Sequence, residues 1–251
     1  MPAVLQHTKA PSTPQKVRKG RVRGEDEGNM KKIAILAALA ATTVLAAPAQ
    51  AGSADGKIQV KVLATGVLPD GKIDKAYVNA GVLNATNDTK ANDNVVPTLA
   101  VEYFFTPNVS VETICCFTQH HVSVTGTPAL ANAMDHVLIL PATVTLKAHL
   151  PAGAFKPYVG AGVTEFFVFG EKPGASLPAA VTSAKLDDTF GVVLQGGVDI
   201  AVNDKGMGIS LDAKKYFVRP TSHFYAGAAE VLSAKHKLDP WVISGGVSYR
   251  F

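Results

Sequence analysis

After residue 51 the sequence has no run approaching the roughly 20 apolar residues that a membrane-spanning helix requires. Few of its segments repeat with a 3.6-residue period, which argues against a helical bundle as well. Cysteine is nearly absent. The two present, Cys115 and Cys116, are neighbours in a segment that reads as a strand, so they point to opposite faces and offer no disulfide framework. They read as small apolar fillers. Positive charge is in short supply too, once its position is considered. Of 24 Lys and Arg, 8 lie in residues 1–51, together with 3 of the 20 Asp and Glu, which leaves 16 cations against 17 anions. No basic face remains for nucleic acid.

That subtraction follows from the front of the chain. Residues 30–51, MKKIAILAALAATTVLAAPAQA, combine a start methionine, two lysines, an apolar stretch from Ile33 to Ala47 and the small-residue cleavage site Ala49-Gln50-Ala51. This is the pattern of a secretory signal peptide, with an apolar core too short to span a bilayer. Residues 1–29 are polar and basic and read as an upstream extension created by a misplaced start site. The expected mature chain begins at Gly52, and residues 52–251 form one expected domain.

What that domain contains is alternation. Eight segments, 57–67, 95–105, 109–118, 136–150, 155–169, 190–202, 207–218 and 241–251, place apolar and polar side chains on opposite faces with a period of two. In the fourth, Leu140, Ala142, Val144, Leu146, Ala148 and Leu150 oppose Thr143, Thr145, Lys147 and His149. In the last, Trp241, Ile243, Val247, Tyr249 and Phe251 oppose Ser244, Gly246, Ser248 and Arg250. Tight turns at 106–108, 151–154 and 203–206, rich in Pro, Gly, Asn and Asp, alternate with connections of roughly twenty residues at 68–94, 119–135, 170–189 and 219–240. In an up-and-down meander this sends every short turn to one end and every long loop to the other.

A soluble barrel or sandwich would also alternate, with its apolar face inside. Two features favour the reverse arrangement. The apolar faces run long enough for tilted strands of 9–11 residues to cross a membrane, and the other faces mix glycine with Thr, Ser, Gln, Asp, Lys and Arg, as a filled polar interior needs. Tyr103, Phe104, Phe105, Phe155, Phe217, Trp241, Tyr249 and Phe251 sit near strand ends and read as two interfacial girdles. The expected fold is all-β: an eight-stranded antiparallel up-and-down transmembrane β-barrel.

Several stretches then resemble a known family. NDNVVPTLAVEYFFTPNVSVE (92–112), LPATVTLKAHL with FKPYVGAGV (140–163), FGVVLQGGVDIAV (190–202) and LDPWVISGGVSYRF (238–251) are similar to the OmpW family of Gram-negative outer-membrane proteins, which includes the AlkL alkane-uptake proteins. The first strand departs from the family pattern, lacking its Trp and Arg. The resemblance implies export to the outer membrane, contact with its lipid, and passage of small hydrophobic molecules. It also implies that the terminal strand, with Trp241, Ile243, Val247, Tyr249 and Phe251, is the signal read by the barrel-assembly machinery.

An eight-stranded barrel is roughly filled by its own side chains, so any route through it is narrow or lateral. Glu102, Glu112, Lys147, Asp199, Asp212, Lys214 and Arg250 fall on inward faces and read as a salt-bridged plug. TEFFVFG (164–170) breaks the alternation near the long-loop end, and Tyr158, Phe166 and Val168 are the expected lining of an apolar mouth. Girdle aromatics are the competing reading of the same residues. His120, His121, His136, Asp135 and Cys116 lack the spacing of a closed metal site, so no metal is expected. Ser123, Asp135 and His136 supply hydrolase residue types without a geometry, so no enzyme is expected. No cofactor is implied. The alternative function is a structural, adhesive or receptor barrel acting through its long outer loops.

Overall fold

The structure, a computed structural model, describes residues 53, 55–81, 83, 87–125, 132–150 and 152–251, with the backbone alone at 115 and 136. The upstream extension (1–29), the expected leader (30–51) and the expected mature terminus at Gly52 lie outside the described residues. Fourteen strands follow in order: β1 (Ile58–Leu68), β2 (Lys72–Asn79), β3 (Asp88–Ala91), β4 (Asn94–Thr106), β5 (Val109–Cys115), β6 (Thr118–Thr125), β7 (Met134–His149), β8 (Phe155–Pro173), β9 (Ser183–Leu186), β10 (Thr189–Ala201), β11 (Met207–Phe217), β12 (Thr221–Ala226), β13 (Ala229–Lys237) and β14 (Trp241–Arg250). Among the described residues no helix is long and apolar enough to cross a membrane.

The main sheet is antiparallel and closed. Its ten strands run β3-β6-β7-β5-β4-β1-β14-β11-β10-β8, and β7 pairs with β8 to complete the barrel. The expectation of eight strands is thus corrected to ten. The reason is that two long strands are interrupted, one between β3 and β4 at Asn92–Asp93, the other between β5 and β6 at Cys116–Phe117. Proline explains the second break. β5 and β6 hold one register against β7, with Ile114 opposite Thr143 and Thr118 opposite Ile139, which sets Cys116 opposite Pro141. Odd-numbered residues of β7 turn their backbone groups to this neighbour, as the bond from the His149 N–H to Asn108 O shows. Pro141 therefore lacks the very N–H the ladder needs there. On β4 the even-numbered residues bond β1, as Phe104 N–H to Lys57 O shows, so Pro97 turns its missing donor toward Phe117.

The short turns lie at the same end as Phe251 and the first described residues, as the bonds from Ser53 N–H to Arg250 O and from Arg250 N–H to Gly206 O show, and side chains close two of them. Thr106 Oγ1 accepts from the Val109 N–H at 3.0 Å, and Asn203 Oδ1 accepts from the Lys205 and Met207 N–H groups at 2.9 and 3.2 Å. At the opposite end, three of the four long connections supply a second, four-stranded sheet in the order β2-β13-β12-β9. Alternation in the sequence marks no strand in these segments.

The barrel is inside out relative to a soluble protein. Val62, Val144, Val192, Leu211 and Ile243 are exposed on its outside, while Lys61, Glu102, Thr145, Ser210 and Lys214 are sealed inside. Val247 is 58% exposed and the next residue, Ser248, 6%. Tyr103, Phe105, Phe155, Phe217, Trp241 and Tyr249 stand outside as expected. Phe104 does not: it is buried, with the Arg250 guanidinium 3.6 Å from its ring centre, because its even parity on β4 turns it inward. Val62 sits mid-wall between Leu99 and Val247 on its two neighbouring strands. Val62→Lys should weaken folding into lipid vesicles by about 2–4 kcal/mol, measured by urea titration; an unchanged midpoint would place this face in water.

Candidate functional site

Inward parity brings charged side chains from six barrel strands to one level. Lys61 Nζ (β1) lies 2.8 Å from Glu102, 3.1 Å from Glu112 and 3.1 Å from Asp199. Lys147 Nζ (β7) reaches Glu102 and Glu112 at 2.8 and 2.9 Å, and Lys214 Nζ (β11) reaches Asp212 and Glu112 at 2.6 and 3.1 Å. Neutral groups satisfy the remaining lone pairs. Gln195 Nε2–H donates to Glu112 and Asp212, Ser210 to Asp199, Ser110 to Glu102, and the Tyr158 hydroxyl to Asp212 at 2.8 Å. The Tyr158 ring lies flat under Lys147 Nζ, 3.6 Å from its centre, a cation–π contact in a sealed interior. It fits because Gly197 faces it; a Cβ there would collide with the phenol oxygen. Glu102, His149 and Asp199 bring possible metal-ligand atoms within 4.8 Å of one another. Lys61 Nζ, in contact with both carboxylates, already supplies the cation.

Above the ions comes a hydroxyl layer. Thr143 Oγ1 is 2.9 Å from Thr164 Oγ1 and 3.3 Å from the Tyr216 hydroxyl. The Tyr216 ring then meets Phe166, centroids 5.7 Å apart, and the character of the interior changes. From here to the outer sheet extends an apolar cavity of about 90 Å³. Phe166, Ile139, Cys116 and Val242 line it from the barrel, and Phe224, Leu232 and Ile73 from the outer sheet. It abuts the wall at Ile114, Cys116, Thr118 and Pro141, the place where the β5–β7 ladder has stopped and the β6–β7 ladder has not begun.

The expected site residues divide accordingly. Glu102, Glu112, Lys147, Asp199, Asp212 and Lys214 meet in one network, whereas Arg250 sits at the short-turn rim and donates from Nε–H to Gly56 O. Phe166 lines the cavity; Val168 is buried in the same apolar cluster. Tyr158 belongs to the ionic layer and does not reach the cavity, so strand parity placed it inside but at the wrong height. Lys61, the hub of the network, was absent from the expected plug although it shares the inward face of Gln59 and Thr65. His120 and His121 lie on β6, not in a loop, and His121 is 3.8 Å from Asp135. The His136 side chain lies outside the described residues.

One histidine fastens the outer sheet to the barrel. His236 on β13 bonds Thr89 Oγ1 of β3 at 3.2 Å through Nδ1 and Ser222 Oγ of β12 at 2.7 Å through Nε2. Since Thr89 Oγ1 donates to Gly71 O, it accepts from His236, and the ring is satisfied in its neutral form. Burial pushes its pKa down from the usual 6.5 to about 4, against the opposing charge of Asp88. His223 on the outer face behaves oppositely. Partial burial disfavours its charge, but its hydrogen bonds to Glu230 and Asp187 prevail and raise its pKa.

A closed antiparallel sheet with an apolar exterior, an ion-paired interior, short turns at one end and long elaborations at the other defines an outer-membrane β-barrel protein. The chain belongs to the OmpW family, whose pattern it matches over residues 54–251. It is 34% identical to the outer-membrane protein y4mB of Sinorhizobium fredii over 218 residues, covering 86% of this chain and 90% of that one. To outer membrane protein W of Vibrio cholerae it is 28% identical over 225 residues, covering 87% and 97%. The crystal structure of OprG from Pseudomonas aeruginosa superposes with a TM-score of 0.70 at 22% identity, over 80% of this chain and 98% of that one. The protein is accordingly located in the outer membrane, with its apolar face in lipid.

Lys61→Met should cost about 3–5 kcal/mol of stability in urea unfolding, because three carboxylates lose an ammonium they share. Adding Asp199→Leu should recover part of that loss, and an additive double variant would show the pair is not coupled. For the outer sheet, the detached form takes up a proton near pH 6.5 and the docked form only near pH 4. Docking through His236 is thus strongest above pH 6.5 and weakens as pH falls through 4, by up to about 3 kcal/mol. The His223 contribution has the opposite sign: present below pH 6.5, lost as pH rises through its raised value. Hydrogen exchange of Ala229–Lys237, corrected for intrinsic rate, should speed up between pH 7 and pH 4.5, and His236→Gln should abolish that acid limb.

Proposed function

We propose that this barrel is a narrow passage for small hydrophobic molecules, which enter from outside, occupy the apolar cavity and leave sideways into the membrane. The observation that carries this reading is the meeting of cavity and wall at Pro141. Below the cavity, ion pairs and hydroxyls fill the interior, and an apolar solute would have to displace charge to continue along the axis. Beside it, two prolines have removed the donors that would zip the wall shut. An apolar molecule meets least resistance there, where Cys116 faces inward and Phe117 stands on the lipid side.

This reading assigns no catalytic step and needs no cofactor. Its partners are outer-membrane lipid, the permeant itself and, during biogenesis, the barrel-assembly machinery acting on Trp241, Ile243, Val247, Tyr249 and Phe251 after export by the leader.

The test uses cells whose outer membrane contains the full-length protein. Replacing Pro97 and Pro141 by Ala restores two N–H donors facing Cys116 and Phe117. Uptake of an apolar tracer should fall severalfold while the barrel stays folded, as judged by its resistance to unfolding in detergent. Reconstituted wild-type protein should show no large ionic steps. Unchanged uptake in the double variant would reject the lateral route, and large steps would point to a water-filled channel.

A further inference from the structure

The cavity is not wholly apolar, and the state of each polar group on its lining can be followed. Thr89 is bonded to Gly71 and His236, Thr118 to Ile139 O, Tyr216 to Thr143, and Ser222 and His236 to one another. Among these hydroxyl and imidazole side chains, His120 alone has an atom outside any hydrogen bond. Its Nδ1 lies 3.1 Å from Asn92 O, a carbonyl that can only accept, so Nδ1 carries the proton. A buried imidazole in contact with no carboxylate is stable as the neutral ring. Nε2 is then a bare acceptor. Among the described residues the sealed polar side-chain atoms without a partner are Thr98 Oγ1 and His149 Nδ1. His120 Nε2 is neither bonded nor sealed, and the residue that carries it lines the cavity.

The ring is also held in place. Asn92, in the gap between β3 and β4, takes His120 Nδ1–H on its carbonyl and the His121 N–H on its side-chain oxygen at 2.7 Å. A fixed acceptor in an otherwise satisfied apolar chamber favours a solute that brings one donor of its own, because any other solute leaves the nitrogen dry and unpaired. Resting on the passage reading above, we infer that His120 is a specificity-determining residue and that the preferred permeant is an apolar chain bearing a hydroxyl, in the class of medium-chain alcohols, over the bare hydrocarbon.

The experiment embeds the full chain in lipid nanodiscs and titrates it with 1-octanol and with n-octane. Occupancy is read from the methyl resonances of Ile139 and Val122, and hydrogen bonding from the nitrogen resonances of labelled histidine. Octanol should shift His120 Nε2 and octane should not. His120→Leu should bind octanol about tenfold more weakly and octane as before, whereas His120→Gln, which keeps an acceptor, should retain most of the octanol affinity. If both compounds bind and the octanol-to-octane ratio is the same in wild type and His120→Leu, the role of His120 is overturned while the passage stands. If neither compound enters the wild-type cavity, the passage reading falls and this inference with it.

Discussion

At the depth of the hydrocarbon no polar group can be handed to water, and the whole barrel follows from that constraint. Backbone groups are satisfied by closing the sheet on itself through β7 and β8. Side chains are sorted by the pleat, so the face that carries Lys61, Glu102, Glu112 and Lys214 has no solvent to turn to and must pair internally. Wall and plug are thus one solution to one problem. Irregular backbone is tolerated only where it borders protein or a cavity. The break between β5 and β6, facing Pro97 and Pro141, meets that condition, since the apolar chamber lies directly behind it.

The interior also changes character along its axis. Ion pairs occupy the level of Lys61 and Lys147, hydroxyls the level of Thr143 and Thr164, and aliphatic and aromatic groups the level of Phe166 and Ile139. Tyr216 belongs to two of these levels, with its oxygen on Thr143 and its ring on Phe166. Such a gradient keeps the apolar cavity apart from the charges below.

Within the eight segments it marks, alternation in the sequence is enough to tell which side meets lipid, because strand parity needs only local information; β3 and most of β6 fall outside those segments. It sorted Val62 from Lys61 and Val247 from Ser248. Parity says nothing about height, so Tyr158 was assigned to the mouth although it lies among the ions, and Arg250 to the plug although it lies at the rim. Nor does it reveal where a strand is cut: both prolines were visible, but their common target at Cys116 and Phe117 depends on register between strands distant in sequence. The outer sheet escaped for a similar reason. β9 has four residues and β12 six, too short to display a period, and their partners come from other connections. His120 falls in the connection expected at 119–135; only the fold places it on β6 at the lining of a chamber.

The outer sheet has a further property that follows from its parentage. β2 arrives from the first long connection, β9 from the third, and β12 and β13 from the fourth, so no one of these connections carries more than a hairpin of it. Only β12 and β13 can find each other early. β2 and β9 are brought to their edges when the staves that bear them are already neighbours, after the loop-closure entropy has been met by the wall. The chamber roof therefore has all four of its strands in place only where the staves that bear them are neighbours, so the outside of this design is complete only once the barrel is closed within the membrane.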